Sequence, residues 1–314
     1  MRFIARRHGA SYTVCEVMLD QFLVQIKDRR RNRHLLYLTD DERPVGGQLM
    51  GAEPELFTAG AKRLVAAGFD VIDINFGCPV KKVLGKCRGG YHLGQPEVAL
   101  EIVRRTRDAV PAHIPVTLKM RRGIDESAKS RDDFFRILEG AFDAGIEAVT
   151  VHGRTVVQRY DGESDWRFLA EVKQFLGNRT MLGSGDLFAP GDCLRMIEQT
   201  GVDGVTVARG AIGNPWIFAR TLALLRGKPL PAPPTLREQR EVMWEHYCRA
   251  ESIYGEKRTP VLMRKFGIKY ARLHPRHPEV RQDMVRVRSR GDYADVLQKW
   301  YDRDEPGVEP QCDQ

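Results

Sequence analysis

From residue 11 to about residue 225, short apolar segments alternate with amphipathic segments of helical period. That alternation confines the chain to a parallel α/β architecture. The spacing predicts strands at Ser11–Val17, Pro44–Met50, Val71–Asn75, Val116–Met120, Ala148–His152, Thr180–Ser184 and Gly204–Ala208. Helices are predicted at Glu53–Ala67, Pro96–Val110, Arg131–Ala144, Trp166–Phe175 and Pro190–Gln199. Ala67-Gly68, Ala144-Gly145 and Thr200-Gly201 supply the glycine that commonly ends such helices just before a strand. Strands recur at intervals of roughly 25 to 45 residues, as a (β/α) barrel requires. Seven strands are found rather than eight, and the chain opens on a basic helix, Arg2–His8, with no strand before it. The expected fold class is therefore α/β, a (β/α)8 TIM-type barrel lacking its first strand. An open barrel or a flavodoxin-like sheet would fit the same pattern.

The alternation stops near Leu225. Gly227-Lys-Pro-Leu-Pro-Ala-Pro-Pro234 is a proline-rich linker, and residues 235–301 lack β-branched alternation and read as a small helical domain. The expected organisation is a barrel domain over 1–226, a linker over 227–234, the helical domain over 235–301 and an acidic tail over 302–314.

With 314 residues, 42% of them hydrophobic, the chain can bury one large core and carry a smaller appended domain. No apolar run approaches the roughly 18 residues of a membrane span. The basic start, Met1–His8, lacks the apolar stretch of a signal peptide. Six cysteines are scattered at 15, 78, 87, 193, 248 and 312 with no Cys-x-x-Cys pair, which argues against a zinc site or a disulfide framework. A cytoplasmic chain with reduced thiols and no metal is expected, with a monomer as the default. The net charge of +8 favours polyanionic partners. Much of it falls between Lys257 and Arg290, where Arg264, Lys265, Lys269 and other cations are interleaved with Phe266 and Tyr270, just after Tyr254. That stretch is either a solvated helical face or a nucleic-acid-binding surface.

Polar residues recur where the predicted strands end. Asn75-Phe-Gly-Cys-Pro79 follows a β-branched run, so Asn75 and Cys78 sit where strand becomes loop, the place where parallel α/β proteins do chemistry. An isolated Cys there is commonly a small buried hydrophobe. Its neighbours favour a site: Gln48, Lys119, His152 with Arg154, Ser184-Gly-Asp186 and Ala208-Arg-Gly210 end the other strands. Lys119 stands among apolar neighbours, which is costly unless it meets an anion or a polar cofactor. The last two loops are glycine-rich and run into helices, as phosphate-binding loops of barrels do, and Arg209 adds charge. There is no Gly-x-Gly-x-x-Gly after the first strand, which disfavours a Rossmann fold.

These motifs together resemble the tRNA-dihydrouridine synthase family. The matching residues are Gln48-Leu-Met-Gly51, Asp73-Ile-Asn-Phe-Gly-Cys-Pro79 with Lys81-Lys82-Val83, Leu118-Lys-Met-Arg121 and Val151-His-Gly-Arg-Thr155. They continue through Tyr160-Asp-Gly-Glu-Ser-Asp-Trp166, Gly183-Ser-Gly-Asp186, Ala208-Arg-Gly-Ala211 and Met263-Arg-Lys265. The resemblance implies FMN in the barrel mouth, NADPH as reductant and tRNA as partner, with uridine reduced to 5,6-dihydrouridine. Cys78 would be the general acid, with Asn75 orienting the base or the flavin. Gln48, Lys119 and His152 would bind the isoalloxazine and ribityl portions. Ser184, Gly185, Asp186, Ala208, Arg209 and Gly210 would surround the phosphate. Lys81, Lys82, Arg154, Arg264, Lys265 and Lys269 would meet the tRNA.

The sequence departs from that family in three places. The strand bearing an Ala-Pro-Met-Ala-Gly-like turn is missing, Ser184 replaces an Asn, and Gly85–His92 is unusually basic with a second thiol, Cys87. One expectation is that Met1 is an internal methionine of a longer chain; another is a shortened protein that binds FMN weakly. Two other functions stay open at this point: an FMN barrel oxidoreductase acting on a small molecule, and a truncated, non-catalytic RNA-binding homologue.

Overall fold

The computed structural model describes residues 1–25 and 34–310; Cys312 and the end of the expected tail lie outside them. The described chain forms two compact units. A sheet unit comprises residues 11–186 and 195–206, and a helical unit comprises residues 1–10, 187–194 and 207–314.

The sheet unit holds eight strands: β1 (Thr13–Val14), β2 (Met18–Leu19), β3 (Val45–Met50), β4 (Val71–Phe76), β5 (Val116–Arg121), β6 (Ala148–His152), β7 (Thr180–Ser184) and β8 (Gly204–Val205). All are parallel and run in the order β1-β3-β4-β5-β6-β7-β8, with β2 also paired to β3. Among the described residues no pairing joins β8 to β1, so the sheet curls toward a barrel without closing. The expected strand Ser11–Val17 is broken into β1 and β2. From Thr13 to Met18 is five residues, whereas their partners Val45 and Leu49 are four apart, so one residue bulges out. Within the break, the Gln48 N–H meets Cys15 Sγ at 3.4 Å rather than a strand carbonyl. β8 is also shorter than the expected Gly204–Ala208.

Helices flank the sheet: α2 (Asp20–Gln25), α3 (Pro54–Ala66), α5 (Pro96–Ala109), α6 (Ala128–Asp143) and α7 (Trp166–Leu176), while the short α4 (Lys81–Leu84) lies in the loop beyond β4 and α8 (Pro190–Thr200) has residues in both units. Proline opens α3 and α5, where its missing N–H costs nothing. Ser127 and Asp165 cap α6 and α7 through their side chains. Leu49, Ile72, Ile74, Phe76, Leu118, Met120, Val149 and Val151 alternate along the strands and are fully buried against these helices. The helical unit contains α1 (Arg2–Arg7), α9 (Trp216–Leu225) and a bundle of α10 (Leu236–Tyr254), α11 (Thr259–Tyr270), α12 (His277–Arg286) and α13 (Arg290–Tyr301). Capping boxes at Thr235/Glu238 and Ser289/Asp292 start α10 and α13. The bundle core is Met243, Tyr247, Met263, Tyr270, Met284, Tyr293 and Tyr301. Gly267 lets α11 approach α12, since a Cβ there would lie 2.5 Å from Met284 Sδ. Among the described residues no helix is long and apolar enough to cross a membrane.

Candidate active site

The inner face of the sheet is polar, and its register places the polar residues side by side. Gln48 pairs with Asp73, Asp73 with Thr117, and Asn75 with Lys119. Asp73 is almost wholly buried, and its carboxylate accepts from Gln48 Nε2 at 2.7 Å and from Thr117 Oγ1 at 2.5 Å. Burial pushes its carboxyl up to about 6, against the opposing pull of those two hydrogen bonds and the Lys119 ammonium. Burial likewise pushes Lys119 down despite the nearby Asp73 carboxylate. Lys119 has no hydrogen-bond or ion-pair partner among the described residues. Tyr12, hydrogen-bonded to Thr117, is pushed up by burial and by Asp73. Its hydroxyl lies against Gly46, where a Cβ would come within 2.3 Å.

Cys78 follows the end of β4 and is half-buried. Its backbone is held on every side. Asn75 Oδ1 accepts from Gly77 N at 2.9 Å and Cys78 N at 3.1 Å. Gly90 N donates to Cys78 O at 3.1 Å. Arg121 Nε donates to Gly77 O at 2.9 Å. The return loop can pass so close only because Gly89 and Gly90 lack side chains: a Cβ on Gly89, whose φ is +60°, would lie 2.9 Å from Cys78 Cβ. Arg121 is 2% exposed and also donates to Thr155 O at 2.8 Å and Arg159 O at 2.7 Å, beneath the Tyr160 ring. It therefore ties the loop after β4 to the loop after β6.

At the ends of β6 and β7, His152 is paired in register with Ser184. His152 Nδ1 accepts from Arg154 N at 3.1 Å, so a neutral ring carries its proton on Nε2. Arg154 is buried, pairs with Asp186 at 2.8 Å and donates to the carbonyls of Asp161 and Gly162; its Nη1 is buried with no partner. Asp186 also accepts from Ser164 N at 2.7 Å. Gly185 has φ +119°, and a Cβ there would strike Ser164 Oγ at 2.2 Å. Asn75, Cys78, His152, Ser184, Gly185 and Asp186 are thus at strand ends of one unit, whereas Gln48 and Lys119, expected to close their strands, lie within β3 and β5 two residues before the ends. Lys81 and Lys82 are exposed on α4 just beyond Cys78.

In the helical unit, Arg209 is exposed on the turn between Ala208 and Gly210, its guanidinium 5.1 Å from the Phe188 ring. A Cβ on Gly210 would meet Leu187 O at 2.1 Å. Within the basic stretch of the bundle, Arg276, Arg286 and Arg290 pair with Glu279, Asp283 and Glu251. Lys257, Arg258, Arg264 and Lys265 make no ion pair among the described residues. Lys269 is partly buried near the end of α11.

Sequence reasoning passed over Asp73, Thr117, Tyr12 and Arg121. The signal was there for three of them: Asp73-x-Asn75 and Thr117-x-Lys119-x-Arg121 alternate polar with apolar, the period of a strand with one polar face.

Comparison with known proteins follows the same lines. The family model described as dihydrouridine synthase (Dus) matches residues 1–303. The chain is 34% identical over 278 residues to a protein of Mycobacterium tuberculosis (strain CDC 1551 / Oshkosh) named "Probable tRNA-dihydrouridine synthase", covering 88% of this chain and 70% of that one. It is 35% identical over 274 residues to "tRNA-dihydrouridine synthase B" of Pseudomonas aeruginosa, covering 87% and 77%. Among solved structures, histamine dehydrogenase from Rhizobium sp. 4-9 superposes with TM-score 0.55 at 15% identity, and 2-naphthoyl-CoA reductase with 0.57 at 11%. Those two share the fold alone; they match 72% and 73% of this chain, which spans 42% and 46% of theirs. The polar strand ends, the Cys78 loop and the match over residues 1–303 lead to one assignment: the chain belongs to the dihydrouridine synthase family.

Proposed function

We propose that the chain reduces uridine in tRNA to 5,6-dihydrouridine, with FMN as cofactor, NADPH as reductant and Cys78 as proton donor. The observation that carries this reading is a half-buried cysteine whose loop is fixed by Asn75, Gly90 and Arg121 near Lys119, which has no hydrogen-bond partner among the described residues. The residues present fit FMN. Lys119 is a cation with no hydrogen-bond partner among the described residues, suited to the electron-rich pyrimidine edge of a flavin. Arg154 Nη1 is buried with no hydrogen-bond partner among the described residues. Gln48, Lys119 and His152 would hold the ring and ribityl portions, and Ser184, Gly185 and Asp186 the phosphate. Ala208, Arg209 and Gly210 form an exposed cationic turn of the kind that suits a phosphate.

Bound FMN would supply the hydride that NADPH provides. Hydride arrival at C6 of uracil leaves enolate character on the ring, and the Cys78 thiol donates its proton to C5. Lys119 opposes the negative charge, and Asn75 keeps the loop of the acid in place. A base must leave its stack to be reached, which asks for cations on the surrounding surface. Lys81 and Lys82 are proposed to meet the RNA, as are Arg264, Lys265 and Lys269 in the helical segment 235–301, whereas Arg154, expected at the RNA, is buried and paired with Asp186 and is proposed to serve the cofactor instead. The test is mass-spectrometric dihydrouridine content of unmodified tRNA after incubation with protein, FMN and NADPH. A flavin-loaded preparation that yields none overturns the proposal.

A further inference from the structure

We propose that Asp73 is a positioning residue for Cys78: its carboxylate sets the orientation of the Gln48 amide, and through it the Asn75 amide that holds the Cys78 peptide. This deepens the assignment of Cys78 as proton donor and rests on it. A side-chain amide can be turned either way in a pocket, and its neighbours decide which way. Asp73 offers only acceptors. One oxygen takes the Thr117 hydroxyl and the other takes Gln48 Nε2. Gln48 Oε1 is thereby turned toward Asn75, whose Nδ2 donates to it at 2.7 Å. Asn75 Oδ1 is left facing the N–H groups of Gly77 and Cys78. Were Gln48 reversed, its N–H would face the Asn75 N–H, Asn75 would reverse, and an amide nitrogen would confront two backbone donors. The direction of the whole chain, from β5 through β4 and β3 and back to the loop after β4, is set by the carboxylate at its far end. A buried chain of this kind also polarises along its length, which strengthens each bond.

The reasoning separates an acceptor from a charge. In Asp73→Asn, the amide oxygen still accepts from Gln48, while its NH2 meets the Thr117 hydroxyl, which can turn to accept. Asp73→Leu and Gln48→Met each cut the chain. The experiment measures iodoacetamide labelling of the native flavin-free protein, with peptide mass spectrometry resolving Cys78 from Cys87 and Cys248. Freeing one hydrogen bond at the Cys78 loop is expected to raise Cys78 labelling about tenfold in Asp73→Leu and Gln48→Met, with Cys87 and Cys248 unchanged. Asp73→Asn is expected to label within about twofold of the unsubstituted protein. In the flavin-loaded enzyme the two cut variants should lose kcat with KM for tRNA unchanged. Folded Leu and Met variants labelled at the original rate overturn the proposal, as does an Asn variant labelled as fast as Leu. Should Asp73→Leu not fold, Gln48→Met carries the test alone. Altered labelling in a protein that never forms dihydrouridine would refute the catalytic reading and leave the positioning role standing.

Discussion

Replacing Asp73 by Asn removes one titration from the protein and should change how its stability depends on pH. The folded state holds the Asp73 proton up to about 6, whereas the ordinary value is 3.8. Between those values the folded protein binds more protons at this group than the unfolded chain, so the contribution of Asp73 to stability is lost as pH rises. The full difference corresponds to about 3 kcal/mol, and about 1 kcal/mol of it develops between pH 5 and pH 7.5. Lys119 and the hydrogen bonds from Gln48 and Thr117 oppose the effect but do not cancel it, because burial is the larger influence. The assay is thermal unfolding of both proteins across that pH range, in which titrations common to the two cancel in the difference. The native protein is expected to lose about 2 °C relative to Asp73→Asn on going from pH 5 to pH 7.5. A difference that stays flat, or that grows in favour of the native protein with pH, would refute the reasoning that burial dominates at this carboxylate.

Gly185→Ala forces a side chain into φ +119° and onto Ser164 Oγ, and should lower stability by about 1–3 kcal/mol together with the flavin content of the purified protein; an unchanged melting temperature contradicts it. Arg121→Met strands the carbonyls of Gly77, Thr155 and Arg159, so a loss of about 3 kcal/mol is expected in thermal unfolding. Arg121→Lys cannot reach all three acceptors and should recover only part of it. Arg264→Gln combined with Lys265→Gln should weaken binding of different tRNAs to a similar degree and reduce the salt dependence of log K by about 1–2. Equal salt slopes for the two proteins would remove these side chains from the interface.

Much of the sheet was legible because its outer face is built from unbroken apolar alternation against helices with clear caps. Ala148–His152 and Thr180–Ser184 are found as read, since β-branched or glycine-flanked runs there have sharp limits. The start of the sheet was not legible: Cys15 interrupts the ladder through its sulfur and an extra residue, a device no periodicity reveals. The strand ends were recognisable one by one as polar residues beside turns. Their mutual arrangement was not, because register decides that Gln48 lies opposite Asp73 and Asn75 opposite Lys119, and register depends on the packing of α3 and α5 as much as on the strands. Asn75 illustrates the difference. Its position predicted a group directed at base or flavin, whereas its oxygen is committed to two backbone N–H groups and its nitrogen to Gln48. Asp73 was hidden in a run that looked continuously buried, although its alternation with Ile72 and Ile74 marks the opposite face of the same strand.

Cys78 is proposed to deliver a proton to a tRNA uridine at a flavin site. The measurement that tests it most directly is anaerobic: FMN-loaded protein is reduced with NADPH, mixed with unmodified tRNA, and followed for flavin reoxidation and dihydrouridine formation, with Cys78→Ala in parallel. Matched reoxidation and dihydrouridine formation are expected in the native protein, and both slowed by about 10²-fold or more in Cys78→Ala. Reoxidation by tRNA at equal rates in the two proteins would contradict it.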